Sequence, residues 1–228
     1  MARLTRLALA GQLHHVALRG HGGTALFRDD TDRRAFLDCL QQSVRLHGLA
    51  VHAYALLESE AHWLTTPPQD VSLGRAVQSL GRRYVALFNR RHGRSGTLWD
   101  GRFRSSVLEP ASWLLPAIVY VETLPVIRGL ASQPADWPWS SAAPHLGRRR
   151  DPLLSDHPNY WSVGNTPFER EHAHADNLGK GVKDGQVAVL ETALKRGLAV
   201  GGIAFIERLQ LHAVRPLQAR PRGRPTKH

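Results

Sequence analysis

An α+β layered fold is what this 228-residue chain predicts, on three observations. Short strand-like apolar runs alternate with long amphipathic stretches in the order β-α-β-β-α-β-α, which suits an antiparallel sheet under helices better than a parallel doubly wound sheet. The long stretches carry their apolar residues at helical spacing. After about residue 145 the texture changes, with several prolines and the run Arg148-Arg149-Arg150. The division expected is a main domain over 1–145, a linker with a small helical region over 146–214, and a basic disordered tail over 215–228.

Each element has its own signal. Leu13 to Leu18 is a first strand that ends at Arg19-Gly20. Its adjacent His14 and His15 face opposite ways, so they do not share a metal and are structural or DNA-facing. Asp30 to Leu46 is a helix: aspartates at 29, 30 and 32 suit its positive N-terminus, Phe36, Leu37, Leu40 and Val44 form one stripe, and Gly48 stops it. Val51 to Leu57 and Ala61 to Thr65 form a hairpin broken at Glu58-Ser59, and Pro67-Pro68 ends that unit. Ser72 to Asn89 is a second amphipathic helix in which Tyr84 belongs to the buried stripe. Arg102 to Leu108 is a strand, and Pro110 opens a helix that should kink at Pro116 and end before Pro125. Beyond a flexible link at Lys180 to Gly185, Gln186 to Arg196 and Ile203 to Leu211 are short helices joined at Gly201-Gly202.

Composition narrows the partners. The net charge of +11 and a pI near 10.9 point to a polyanion. Arginine accounts for 26 of the 30 basic residues, and its planar fork grips phosphate bidentately. Cys39 is the only cysteine, which excludes a disulfide framework and a cysteine-based zinc site. No stretch approaches membrane-spanning length, and the apolar run Leu7 to Ala10 is too short for a signal-peptide core, so a cytoplasmic protein with no membrane partner is expected. The sequence has no phosphate-binding glycine loop, zinc-hydrolase helix or serine-nucleophile elbow. The histidines of His172-Ala173-His174 fall on different faces of a helix and make a weak metal pair.

The basic charge is concentrated in residues 82–104, R-R-Y-V-A-L-F-N-R-R-H-G-R-S-G-T-L-W-D-G-R-F-R. Its seven arginines (Arg82, Arg83, Arg90, Arg91, Arg94, Arg102 and Arg104) stand against a single acid, Asp100. Tyr84, Phe88, Trp99 and Phe103 lie among them. Guanidinium groups for phosphates and aromatic faces for unpaired bases together suit single-stranded or hairpin nucleic acid.

The order of residues from Tyr84 to Phe103 resembles the middle of the single-tyrosine transposases of insertion sequences, in particular the REP-associated branch, with its pattern Y-x-x-x-F-N-R-R-x-G-R-x-G-x-L-W-x-G-R-F. Asp136-Trp137-Pro138-Trp139-Ser140-Ser141 is similar to the stretch that closes the catalytic domain in that family, and by itself suggests two tryptophans pinning a turn to the core. The resemblance spans roughly residues 3–145. It implies a ferredoxin-like antiparallel sheet with helices on one face, the C-terminal helices forming a small appendage.

It also implies a chemistry. In the family a tyrosine attacks a phosphodiester, holds a 5′-phosphotyrosine link and leaves a 3′-hydroxyl for rejoining, with a divalent metal held by a His-hydrophobic-His pair and an amide one helical turn past the tyrosine. Tyr120 falls in the place of the nucleophile, five residues before Pro125. Glu60 stands where the first histidine belongs, His62 where the second does, and Leu124 where the amide belongs. Residues two apart on a strand share a face, about 6.6 Å apart, and a carboxylate suits Mg2+ or Mn2+, so Glu60 and His62 are the metal candidates. Leucine cannot ligate. The expected function is therefore a DNA transposase or a domesticated relative, acting on single-stranded or hairpin DNA and compatible with a homodimer. The alternatives are a catalytically decayed DNA-binding protein on the same fold and a structured-RNA-binding protein. In the tail, Pro221-Arg222-Gly223-Arg224-Pro225 resembles the core of an AT-hook, which implies a minor-groove role for Arg222 and Arg224; the alternative is a solubilising basic tail with no groove preference.

Overall fold

The computed structural model describes residues 7–218; Arg222 and Arg224 lie outside them. The chain begins with strand β1 (Leu13–Arg19), helix α1 (Asp30–His47), the hairpin β2 (Ala50–Leu56) and β3 (Glu60–Thr66), helix α2 (Ser72–Arg91) and strand β4 (Arg104–Leu108). Hydrogen bonding orders the sheet β2-β3-β1-β4, antiparallel throughout, and a two-residue strand β5 (Ala199–Val200) adds to β4 in parallel. This is the α+β, ferredoxin-like arrangement expected from the sequence, extended to a five-stranded mixed sheet.

Local chemistry accounts for the elements. The Asp29 carboxylate accepts from the backbone N–H groups of Thr31 and Asp32 and starts α1, and Gly48, at φ 69°, ends it in the left-handed region where a side chain would strain. On α2 the buried residues Leu73, Ala76, Leu80, Tyr84 and Phe88 recur every three or four positions and face α1 and the sheet. Tyr84 is core, as its stripe predicts: its hydroxyl donates to the Leu26 carbonyl oxygen at 2.5 Å.

Period-two alternation divides the sheet. Val16, Leu18, Tyr54, Leu56, Ala61 and Trp63 meet α1 and α2 on one face. Leu13, Ala53, Ala55, Leu57 and Leu64 meet the long helix α3 (Pro110–Ile127) on the other. Helices thus cover a second face as well as the first. α3 runs one turn past the stop expected before Pro125, because a proline removes one N–H donor but leaves its carbonyl free to accept, here from Leu130 N–H at 2.8 Å. With 18 residues and a mean hydropathy of 1.4, α3 is long and apolar enough to cross a membrane, against the expectation that no stretch would be; its buried residues, from Leu114 to Pro125, pack within this layer.

The Asp136–Ser141 stretch guards the outer edge of β2. The Leu56 N–H donates to the Trp139 carbonyl, the Trp137 indole to the Leu56 carbonyl, and the Trp139 indole to Asp30. The remaining chain forms α4 (Ala142–His145), α5 (Pro167–Lys180), α6 (Asp184–Arg196), β5 and α7 (Ile203–Gln210). Helix α5 falls in the stretch expected to be linker, although its capping box is plain in the sequence: Thr166 accepts from Glu169 N–H, and the Glu169 carboxylate reaches back to Thr166 N–H. Leu190 and Ala193 of α6 join the α3 layer, and Phe205, Ile206 and Leu209 of α7 pack with Leu7, Leu9 and Val107.

Candidate active site

The strand alternation that buries Leu64 under α3 also brings Glu60 and His62 to that face of β3, with His15 and Ala17 beside them on β1. His15 lies diagonally from His62 across the strand pair, and its Nε2 is 3.1 Å from His62 Nδ1. On its other side His62 Nε2 is 3.0 Å from Glu60 Oε2. One tautomer set satisfies both contacts: His15 Nε2–H donates to His62 Nδ1, and His62 Nε2–H donates to Glu60. Burial, and then the charge His62 would carry, hold His15 well below the ordinary histidine range, in keeping with a neutral ring.

Glu60 gathers further cations. Its Oε1 is 3.1 Å from Arg19 Nε, and its Oε2 is 3.7 Å from an Arg128 nitrogen. The His62 hydrogen bond, reinforced by the charges of Arg19 and Arg128, draws the Glu60 carboxyl down to about 2 against the burial that would raise it.

Tyr120, on the side of α3 that faces these strands, packs its ring edge-on to His15 with centroids 5.8 Å apart. Its hydroxyl donates to Glu191 Oε1 of α6 at 3.4 Å. Burial and the Glu191 charge push the phenol above its ordinary value, so at neutral pH it is protonated. Tyr120, Glu60 and His62 line one cavity of about 520 Å³ with four cationic side chains, Arg19, Arg104, Arg128 and Lys195.

The donor set does not suit magnesium or manganese. Mg2+ asks for near-octahedral oxygen ligands and gives up water reluctantly. Here Glu60 is one carboxylate already engaged by two guanidinium groups, and both nitrogens of His62 are occupied. The third position is Leu124, 2% exposed among apolar neighbours.

Among the described residues, one group of three ligating side chains lies close enough to hold a metal ion, and it is elsewhere: Glu122, His145 and His174. Glu122 is two residues from Tyr120 and therefore points away from it, towards α4 and α5. Its Oε1 accepts from Ser141 Oγ at 2.5 Å and lies 2.6 Å from His145 Nδ1, while Oε2 lies 2.7 Å from His174 Nε2. Burial would raise this carboxyl, but the charges and hydrogen bonds of the two histidines bring it down to about 2. The sequence separates His174 from exposed His172 correctly and misses its partner, 52 residues away.

The arginine stretch is spread over several environments. Arg82, Trp99 and Arg102 line a groove of about 840 Å³ beside α2. Trp99 stacks on Tyr84, with centroids 6.0 Å apart, above Gly81, where a Cβ would come within 3.2 Å of its indole nitrogen. Arg90 is exposed, Arg83 donates to Gln42, and Arg94 lies over the Phe88 ring. Arg91 is held by Asp29 at 2.6 Å and Asp32 at 2.5 Å. Arg104 alone of the stretch reaches the Tyr120 cavity. Sequence reasoning misses His15, Arg19, Arg128, Glu191 and Lys195, because their roles depend on strand register and on the packing of α6.

No protein-family model matches the chain, and no curated protein matches it. A solved structure of the REP-associated tyrosine transposase bound to a REP hairpin superimposes with a TM-score of 0.55 at 17% identity, over 70% of this chain and 93% of that one. The chain has the fold of a REP-associated tyrosine transposase. A candidate transposase from Deinococcus radiodurans R1 matches more loosely, with a TM-score of 0.36 at 17% identity over 57% of this chain and 95% of that one. On this fold, Tyr120 and the Glu60–His62 pair line one cavity.

Proposed function

We propose that this chain binds hairpin or single-stranded DNA and cuts and rejoins it at Tyr120. The observation that carries the reading is a tyrosine hydroxyl in a cavity walled by four cationic side chains, with a carboxylate in reach to take its proton. A phosphodiester drawn in by Arg104, Arg128 and Lys195 meets the phenol. The Tyr120 oxygen bonds to phosphorus as its proton passes to Glu191, the P–O3′ bond breaks, and the 3′-oxygen leaves with a proton from water. Tyr120 then carries the 5′-phosphate as an ester, and attack by a 3′-hydroxyl reverses the step to join strands. Magnesium or manganese, which the resemblance implies, meets only Glu60 and His62 here, and no step runs through it. The hairpin bound to the structural neighbour supports hairpin DNA as the ligand. Exposed Arg82 and Arg90 suit its backbone, and the Trp99 groove suits an unpaired base.

The test is a denaturing gel for a covalent protein–DNA adduct on hairpin DNA with a single-stranded flank. The wild type should form it and Tyr120→Phe should not, with hairpin affinity unchanged. Tyr84→Phe should still form it. An adduct that survives in Tyr120→Phe removes the assignment. Leu124 favours a second reading, hairpin binding without cleavage, for which the same gel shows a retained complex and no adduct.

A further inference from the structure

We infer that the Tyr120 cavity is a phosphate site that works without a divalent cation, with guanidinium groups standing where a metal would otherwise neutralise the phosphate. The inference deepens the proposed function and rests on it only for the identity of the polyanion. Three observations carry it. The third ligand position is a buried leucine, so a cation entering here would be held by two side chains at most. Both of those are engaged, Glu60 by Arg19, Arg128 and His62, and His62 by His15. A metal would have to displace Arg19 and Arg128 from their carboxylate and then sit beside their charge.

The third observation is the sign of the wall. Arg19, Arg104, Arg128 and Lys195 outnumber Glu60 and Glu191 around the cavity, which leaves it positive without counting any histidine. The Glu60–His62–His15 chain then acquires a different purpose. Anchored in the sheet, it holds the Arg19 and Arg128 head groups at the cavity wall by charge, with Arg19 Nε at 3.1 Å and an Arg128 nitrogen at 3.7 Å from the carboxylate. Glu60 is on this view a positioning residue for arginines rather than a metal ligand. A phosphodiester brings one negative charge, which the excess accommodates without a second cation.

Isothermal titration of the full chain with inorganic phosphate, and with a 5′-phosphorylated trinucleotide, in EDTA and again in millimolar Mg2+, tests this. Both ligands should bind equally well in EDTA and in Mg2+. Arg128→Ala should weaken both about tenfold, and Lys195→Ala should weaken them less. Glu60→Gln should weaken phosphate binding by loosening the arginines. Binding that appears only with Mg2+, or Glu60-dependent Mg2+ binding in the absence of phosphate, overturns the inference. So does an absence of phosphate binding in both buffers from a chain whose thermal melt shows it folded. Failure of the nucleophile assignment is distinguishable, since it shows as an adduct that survives in Tyr120→Phe, or as none in the wild type, while phosphate binding stays intact.

Discussion

Two clusters of the same chemistry lie on opposite sides of helix α3, and their surroundings set them apart. Towards the sheet, Glu60 with His62 and His15 opens on a cavity ringed by arginine and lysine, next to a tyrosine hydroxyl. Towards α4 and α5, Glu122 with His145 and His174 is closed off, its carboxylate wholly buried and satisfied by three donors. One acid and two histidines thus border an open cavity in the first case and form a closed joint in the second. What distinguishes them is access and the charge of the wall. Geometry alone would rank the second cluster as the better metal site, while the Tyr120 hydroxyl stands beside the first.

The largest effect that would sharpen this contrast is on stability. Glu122→Ala leaves two buried histidines and Ser141 without their acceptor, and should cost about 3–5 kcal/mol, as removal of one partner from a buried charged pair does. In a chain of this size that lowers the thermal midpoint by on the order of 10 °C. Glu60→Ala lets its arginines turn to solvent but leaves the buried His62 Nε2–H without its acceptor, and should cost less, about 1–3 kcal/mol. Equal losses in the two variants, read from thermal melts, would erase the distinction.

Acid and base should separate the clusters next. Glu122 is lowered from the ordinary 4.5 to about 2, so its contribution is present above 4.5 and is lost as pH falls towards 2. His145 is raised above 6.5 because the Glu122 charge and hydrogen bond outweigh burial, so its contribution is complete below 6.5 and fades as pH rises through the folded value. Stability should therefore peak between those limits. Glu122→Gln should flatten both flanks of the curve, whereas Glu60→Gln should change only the acid flank, by less. A basic flank that persists in Glu122→Gln would mean another group controls it.

The sequence reveals the two clusters unequally. Periodicity shows which residues share a face, so β1, the β2–β3 hairpin, α1 and α2 are legible within a few residues, as is the buried stripe containing Tyr84. The resemblance points to Tyr120, Glu60 and His62, and the structure brings them to one cavity. His15 is not legible as a partner of His62, because that contact depends on the register of β1 against β3. Glu191 and Lys195 are not either, since nothing local to α6 says it will lie over Tyr120. Glu122, His145 and His174 come from three helices, one of which falls where linker is expected. Spacing rules report on neighbours in one element and are silent on such meetings.

The smallest effect concerns charge alone, in two neighbouring arginines that repeat the contrast between a group facing outward and one tied inward. Arg90 is exposed at the end of α2, while Arg91 is gripped by Asp29 and Asp32, which start α1. A guanidinium that pairs with a phosphate releases counterions, so Arg90→Ala should flatten the plot of log affinity against log salt by about 0.7 to 0.9 for each phosphate it no longer neutralises. Arg91→Ala should leave that slope unchanged, because its guanidinium already answers two carboxylates and adds little net field. It should act instead on the junction of α1 and α2, where Asp32 would keep only His92 as a side-chain partner. Hairpin affinity measured over a range of salt, from about 50 to about 300 mM, decides the matter for the two variants. A slope that falls equally in both would show that Arg91 leaves its aspartates to grip DNA.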